Sequence, residues 1–288
     1  MGTAVDELVA LLDLEQLEVN LFRGVTQVTD RERVFGGQVL AQGLMAAGRT
    51  VEEARPVHSM HAYFLRHGDP ELPIVFEVDR IRDGRSFTTR RAVAIQRGEA
   101  IFNLAASFQV EEPGPDHSDP MPDVPLPDDA GSSVHWHHPK DRPVDQPGAY
   151  AIDALELRPV GGVLPTPLSW GDATPRDPDQ DIWVRVRGRL PDDPLLHACA
   201  LAYASDLTLL TTALLPHRTP FDGAGFMMAS LDHVMWFHRP CRADEWLLYR
   251  THSPSAAFAR GFSQGSMFRE DGVLGVTLAQ EGLFRPLR

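Results

Sequence analysis

The chain has 288 residues, of which 43% are hydrophobic and 23% are charged, and its formal net charge is -13. This composition is typical of a globular protein with one large domain or two domains of ordinary size. The acidic excess argues against broad electrostatic binding to nucleic acid or to an anionic membrane, and leaves open a local basic pocket for a small anion.

The N-terminal segment "MGTAVDELVALLDLEQLEVN" interleaves acidic residues with leucines. It lacks the basic segment and apolar core of a signal peptide, so we expect an amphipathic helix. The two cysteines, Cys199 and Cys241, are too few for a disulfide framework and have no metal-type spacing. We therefore expect a protein of the reducing cytoplasm.

A helix is predicted over residues 36–51, where apolar residues recur at helical spacing after the motif "RVFGGQ". The two glycines of this motif have two interpretations. They form a tight entry turn, or they let a ligand approach the free N–H groups of Gly37 and Gln38, where negative charge would be stabilised.

Four strand-like segments follow this helix: "HSMHAYFLR", "PIVFEVDRIRDG", "SFTTRRAVAIQRG" and "AIFNLAASFQV". In the first segment, alternation places His58 and His61 on opposite faces, which argues against a shared metal and leaves one histidine able to line a site. The motif "RDGRSFTTRR" is the densest basic cluster in the chain. It is either surface charge on a hairpin or an anion-binding rim that includes Arg90 and Arg91.

Residues 111–148 are rich in proline and acidic residues, which favours an extended linker. We therefore divide the chain into an N-terminal domain (1–110), the linker (111–148) and a C-terminal domain (149–288). The linker motif "HWHH" has no acidic or cysteine partner at metal spacing, so no metal site is predicted.

The second domain repeats the order of the first. Strand-like segments precede a long apolar helix over residues 195–215, and four further strands follow. The segment "HAYFLR" recurs as "HVMWFHR", and "DDP" before the helix supplies an acidic cap and a first-turn proline. This order predicts two antiparallel sheets, each wrapped around a long helix.

Asp206 lies inside this apolar helix. A membrane span is excluded on the sequence because the run contains His197 and Asp206 and lies between strand-like segments. An isolated buried carboxylate costs several kcal/mol, and buried carboxylates concentrate at active sites. The alternative is a carboxylate that reaches an edge or caps a neighbouring element.

The motif "GFSQG" at residues 261–265 matches the nucleophile elbow of serine hydrolases. That elbow needs a strand, a tight turn and a helix, with a histidine later in the chain. Here both flanks alternate as strands and no histidine follows His252, so a nucleophilic serine is not predicted. Two other polar residues in apolar strands, Ser230 and Gln280, are core residues or members of a site.

Taken in order, these segments resemble the acyl-CoA thioesterase II family. The matching segments are "LFRG", "RVFGGQV", "HSMHAYFLRHGD", "RDGRSFTTRR", "ASFQ", "YASDL", "DHVMWFHRP", "EWLLY" and "QEG". The resemblance implies an α+β double hot-dog fold, in which two antiparallel sheets each wrap a long central helix. It also implies a homodimer or homotetramer.

The family resemblance implies hydrolysis of acyl-CoA thioesters by a water held between an aspartate, a hydroxyl residue and a glutamine, with no metal or cofactor. Matched motif by motif, these are Asp206, Ser230 and Gln280. The other residues that we assign to the substrate are Gly37, Gln38 and His61 around the thioester and Arg90 and Arg91 at the CoA phosphates.

Two alternatives stay open at this point. A hot-dog acyl-CoA hydratase typically pairs an aspartate with a histidine a few residues later on the helix, whereas the next histidine here is His217. A non-catalytic acyl-CoA-binding protein would not need all three polar residues. The acyl-chain preference, the pathway and the oligomeric interface are not predicted.

Overall fold

The computed structural model describes residues 3–27, 33–52, 54–131, 133, 151–161, 174–217 and 226–286. Within these ranges the helices are α1 (Ala4–Leu12), α2 (Gly36–Gly48), α3 (Pro194–Ser205) and α4 (Leu209–Thr212). The strands of the first half are β1 (Glu15–Glu18), β2 (Leu21–Gly24), β3 (Val57–Phe64), β4 (Ile74–Asp83), β5 (Phe87–Gln96) and β6 (Glu99–Gln109). Those of the second half are β7 (Leu155–Pro159), β8 (Asp179–Val186), β9 (Phe226–Ser230), β10 (Asp232–Phe237), β11 (Leu247–Ala257), β12 (Arg260–Arg269) and β13 (Leu274–Pro286).

The strands of the described ranges form one continuous antiparallel sheet in the order β1-β2-β4-β5-β6-β3-β10-β13-β12-β11-β8-β7, with β9 paired to β13. The two halves meet where β3 pairs with β10, with Met60 opposite Met235 and Ala62 opposite His233. The prediction of two separate sheets is therefore wrong. The edge strand of each half finds its hydrogen-bonding partner in the other half, which leaves no free edge at the junction.

Helix α2 is the predicted helix of the first half, and every residue from Gly37 to Gly48 is buried. It packs against α3 and against strands β2 to β6. Gly37 is required for this packing, because a Cβ there would lie 2.5 Å from the backbone oxygen of Tyr203 on α3. The helix has no solvated face because the sheet covers one side of it and α3 the other.

The helix of the second half begins as predicted and ends earlier than predicted. Asp193 is its N-cap, its carboxylate accepts from the N–H of Leu195, and a proline occupies the first turn. The helix stops at Ser205, and a turn separates it from the short helix α4, which packs against β11, β12 and β13. The single continuous helix predicted for this half is thus replaced by two.

Residues Pro194–Thr212 are long and apolar enough to cross a membrane by length and composition, yet 78% of that window is buried inside the fold. Such burial is typical of a core helix. The sheet accommodates α4 closely because it presents glycines to it: a Cβ on Gly282 would lie 1.8 Å from Cδ1 of Leu210.

The described part of the linker bonds to both halves, and Oγ of Ser86 in the first half donates to the carboxylate of Glu112. Residues 111–126 have neither helix nor strand, and the indole Nε1 of Trp183 donates to the backbone oxygen of Pro125 at 2.8 Å. The guanidinium groups of Arg158 and Arg185 lie over the ring of Trp246, 4.9 and 4.3 Å from its centroid. Residues 134–148, with the "HWHH" motif, lie outside the described residues, and the domain boundaries stay a prediction.

Candidate active site

Asp206 ends α3 and directs its carboxylate to the N-terminus of α2. It is the C-cap residue of α3, with φ -80° and ψ 0°, so it does not lie in a helix interior as the sequence predicted. The backbone N–H of Gly37 donates to the Asp206 carboxylate. The N-cap of α2, Phe35, makes no side-chain hydrogen bond, so Asp206 supplies the anion that a helix N-terminus favours.

Two side chains from the second half hold the same carboxylate. Nε2 of Gln280 donates to Oδ1 of Asp206 at 2.7 Å, and Oγ of Ser230 donates to the same oxygen at 3.3 Å. Ser230 on β9 lies opposite Gly282 on β13, two residues beyond Gln280, so alternation directs both side chains to the inner face. The structure thus brings together the three polar residues that the sequence singled out.

The environment of Asp206 makes its carboxylate a stronger base than an ordinary aspartate. Burial raises the pKa of Asp206 to about 6, against the hydrogen bonds from Gln280, Ser230 and the Gly37 N–H, which lower it. At neutral pH most of the carboxylate is therefore ionised, and its pKa is close to the pH at which a general base would work.

His233 is a neighbour of Asp206 that the sequence analysis missed. Its ring is fully buried, its Nδ1 lies 3.9 Å from Oδ1 of Asp206, and its Nε2 lies 3.0 Å from Oγ of Ser205. Burial lowers the pKa of His233 to about 3, so the ring is neutral. The signal was present in "LDHVMWF", because alternation along β10 directs His233 and Met235 to the core.

Comparison with known proteins places the chain in a family. The sequence family described as "Acyl-CoA thioesterase" matches residues 172–283, and that described as "Acyl-CoA thioesterase N-terminal domain" matches residues 27–109. The chain is 43% identical to acyl-coenzyme A thioesterase 8 of Mus musculus, over 96% of this chain and 88% of the relative. The chain belongs to the acyl-CoA thioesterase II family.

Solved structures agree with the fold expected for the acyl-CoA thioesterase II family. The acyl-CoA thioesterase II TesB2 from Mycobacterium marinum superimposes with a TM-score of 0.80 at 44% identity, covering 97% of this chain and 98% of that chain. A protein of unknown function with a hot-dog fold from Alicyclobacillus acidocaldarius superimposes with a TM-score of 0.75 at 18% identity, over 100% of both chains. The antiparallel sheet with few helices is therefore a hot-dog fold.

Within this acyl-CoA thioesterase fold, Arg90 does not lie on an exposed rim. It is 2% exposed, and its guanidinium donates to the backbone oxygens of Arg82 and Thr89, to both oxygens of Thr50 and to the Asp83 carboxylate. The prediction that Arg90 binds a CoA phosphate is wrong, because these protein groups already occupy its N–H donors. On β5, Arg90 lies on the same inward face as the buried residues Ala92 and Ala94.

Arg91 and His61 lie on the outer face of the sheet. Arg91 is exposed and lies 3.4 Å from the carboxylate of Asp79, so its assignment to the CoA phosphates stays a prediction. His61 packs edge-to-face on Trp236, with ring centroids 5.5 Å apart. Phe64, three residues after His61 on the same strand, lies beside Gly36 on the inner face. Because side chains alternate along a strand, His61 lies on the opposite side of the sheet from Asp206. Its assignment to the substrate is therefore corrected.

The two N–H groups predicted to face the thioester both have protein partners. The N–H of Gly37 donates to Asp206, as described above. The N–H of Gln38 donates to the backbone oxygen of Phe35 at 3.1 Å, and its side-chain amide donates to Val25. The structure therefore argues against Gln38 as an oxyanion donor, whereas Gly37 lies at the site.

The "GFSQG" motif lies within strand β12, and Ser263 is buried on its inner face. The chain continues as strand on both sides of the serine, so the tight turn of a nucleophile elbow is absent there, as expected. Among the described residues, no group of three or more His, Cys, Asp or Glu side chains is arranged to hold a metal ion.

Proposed function

We propose that this chain hydrolyses acyl-CoA thioesters to a free carboxylic acid and CoA, with Asp206 as the general base toward water. The observation that supports this most directly is the buried carboxylate, held by Gln280 at 2.7 Å and Ser230 at 3.3 Å at the start of α2. The relatives described above, named acyl-CoA thioesterases, support the substrate class.

In the proposed reaction Asp206 takes a proton from a water while the water oxygen bonds to the thioester carbonyl carbon. The tetrahedral intermediate then collapses, the C–S bond breaks, and the proton held by Asp206 passes to the departing thiolate. The products are the carboxylic acid, which ionises in solvent, and CoA thiol. Ser230 and Gln280 orient the water and the carboxylate, which lowers the entropy loss at the transition state.

The N-terminus of α2 is the proposed site of the developing oxyanion, with Gly37 as the donor. In the free protein the Gly37 N–H donates to Asp206. Because a protonated carboxyl is a weaker acceptor than a carboxylate, proton uptake by Asp206 would release this N–H as the thioester oxygen becomes negative. The interaction would then be stronger in the transition state than before it.

Release of free thiol from medium- and long-chain acyl-CoAs tests the proposal. We expect turnover by the native chain and a loss of roughly 10³-fold in kcat for Asp206→Asn, which removes the base and keeps its shape. Asp232→Asn is the matched control, because Asp232 accepts the N–H of Glu281 outside the cluster and should leave turnover near normal.

Two outcomes would contradict the proposal. Tight binding of acyl-CoA without thiol release would favour a binding protein. Hydration of a 2-enoyl-CoA without thiol release would favour a hydratase, an outcome we do not expect because His233, the histidine beside Asp206, is fully buried and has no exposed edge for a substrate.

We also propose that the two halves are diverged copies of one hot-dog unit, each with a long helix against its own part of the sheet. This is supported by the recurring element order and by the antiparallel packing of α2 against α3, in which Gly37 meets Tyr203 at one end and Gly48 meets Leu195 at the other. A homodimer or homotetramer and a cytoplasmic location complete the proposal.

A further inference from the structure

The contacts of Ser205 Oγ allow the hydrogen of the neutral His233 ring to be assigned to one of its two nitrogens. The hydroxyl of Ser205 donates to the backbone oxygen of Ala202 at 2.8 Å, and a hydroxyl has only one hydrogen to donate. The hydroxyl has one other acceptor in reach, Sδ of Met235 at 3.6 Å, and we assign its hydrogen to the nearer and stronger acceptor, the Ala202 oxygen. With that assignment, the contact of 3.0 Å between Ser205 Oγ and His233 Nε2 is donated by the ring. A neutral imidazole holds one N–H, so the hydrogen lies on Nε2 and Nδ1 is a bare lone pair.

This lone pair faces the Asp206 carboxylate across 3.9 Å, and within the described part of the chain Nδ1 has no hydrogen-bond partner. The arrangement is unfavourable while the carboxylate is ionised, because the negative end of the ring dipole points at a negative charge in a buried site. It becomes favourable once Asp206 is protonated, since a carboxyl O–H can donate to Nδ1 after a side-chain approach of about 1 Å.

We propose that His233 is a positioning residue that strengthens Asp206 as a base and accepts a hydrogen bond from its protonated form during hydrolysis. The interaction with His233 is repulsive in the resting state and attractive when Asp206 holds the proton of the attacking water. It therefore stabilises the transition state relative to the ground state. No further bond to hydrogen is broken, because the proton stays on Asp206 until it passes to the thiolate.

The groups that face Asp206 from the elements packed around it are few within the described ranges. Helix α2 contributes the Gly37 N–H, and β9 and β13 contribute the neutral side chains of Ser230 and Gln280. Besides His233 on β10, the titratable neighbour is Tyr249 on β11, whose hydroxyl donates to the backbone oxygen of Ser205. Burial and the charge of Asp206 raise the pKa of Tyr249, so it stays neutral and does not titrate with the carboxylate.

The inference rests on the proposed hydrolysis, and its test measures the pH dependence of kcat/KM for thiol release between about pH 5 and pH 8. His233→Gln keeps a polar group that reaches Ser205 and removes Nδ1. In the pH profile of kcat/KM for this variant, we expect the acid limb to move down by about half a pH unit to one pH unit. We also expect kcat to fall roughly 10- to 100-fold at a similar KM.

Ser205→Ala is the second variant and keeps the histidine. It removes the acceptor for the Nε2 hydrogen, so the ring can place its hydrogen on Nδ1 and donate to the carboxylate. That bond favours the ionised form of Asp206, and we again expect a lower acid limb and a lower kcat.

His197→Gln is the matched control. His197 is also buried on α3, its Nε2 has no hydrogen-bond partner among the residues that the structure describes, and it lies nine residues before Asp206, about 13 Å along the helix. We expect its acid limb to match that of the native chain. Native-like acid limbs in both folded test variants would overturn the role of His233, and so would an equal shift in His197→Gln. Absence of thiol release by the native chain would instead remove the proposed hydrolysis itself.

Discussion

At the scale of single residues, Asp206 shows how the fold tolerates a carboxylate in its core. Burial disfavours its charge, whereas two side-chain donors and one backbone N–H favour it, and the balance raises the pKa of Asp206 to about 6. The pKa of Asp206 in the folded protein is above the usual aspartate value of 3.8. As the pH rises, Asp206 therefore loses its proton at a lower pH in the unfolded chain than in the folded protein. The ionised carboxylate therefore destabilises the folded protein.

Replacing Asp206 with Asn should accordingly separate stability from activity. The native chain should lose stability between about pH 4 and pH 6, by roughly 2–3 kcal/mol from this group, and Asp206→Asn should not. We expect the variant to be more stable than the native chain by roughly 2–3 kcal/mol at pH 8, and the difference to vanish near pH 4. Urea unfolding at the two pH values measures this, and a variant that is less stable at pH 8 would contradict it.

Which single residues are candidates for the site was predictable from the sequence where the pattern of one helix or strand is enough to identify them. Asp206, Ser230 and Gln280 stand out as polar residues in apolar segments, the family resemblance groups them into one site, and they do meet. Arg90 was assigned wrongly, although its inward face could have been recognised from the two alanines that follow it at alternate positions. His233 was missed because its partner Ser205 lies on another element, and local alternation does not identify a partner.

At the scale of elements, the start of α2 and the end of α3 form one unit. The two helices run antiparallel, with Gly48 beside Leu195 at one end, so the C-cap of α3 meets the first turn of α2 at the other. The break after Ser205 was not predictable, because "YASDLTLL" contains neither glycine nor proline. A helix end that contributes its cap to a neighbouring helix is stabilised by a contact between distant segments, which a local pattern does not reveal.

Gly36→Ala tests this unit. A Cβ at residue 36 would lie 2.6 Å from Oδ2 of Asp206, so the methyl group must displace the carboxylate from the site. We expect a loss of roughly 10- to 100-fold in kcat, because a small displacement of a catalytic group has a large effect on rate.

Gly43→Ala is the control for this variant, since it lies on the same helix and its Cβ would meet only the ring edge of Phe102, at 3.0 Å. It should hydrolyse thioesters at a near-native rate. Equal rates in the two variants, measured by thiol release, would show that the glycine at residue 36 is not needed for the position of Asp206.

At the scale of the whole molecule, the candidate site is shared between the halves. Its side chains come from the second half, whereas the N–H of Gly37 and the surface that covers α3 come from the first. The junction of β3 with β10 adds a continuous hydrogen-bonded ladder between the halves. The sequence predicted the repeat and missed this junction, because the pairing of two edge strands depends on how the two units pack and not on the pattern within either one.

Because the site is shared, the second half should not act alone. A fragment of residues 111–288 keeps Asp206, Ser230 and Gln280 and retains the part of the linker that packs on it. It exposes the edge of β10 and the face of α3 that α2 normally covers. We expect this fragment to self-associate through that edge and to release no thiol from acyl-CoA.

Co-expression with residues 1–110 should restore both a discrete assembly and turnover, measured by size-exclusion chromatography and thiol release. Native-like turnover by the fragment alone would show that the first half contributes nothing to the reaction, and would remove Gly37 from the proposed oxyanion site.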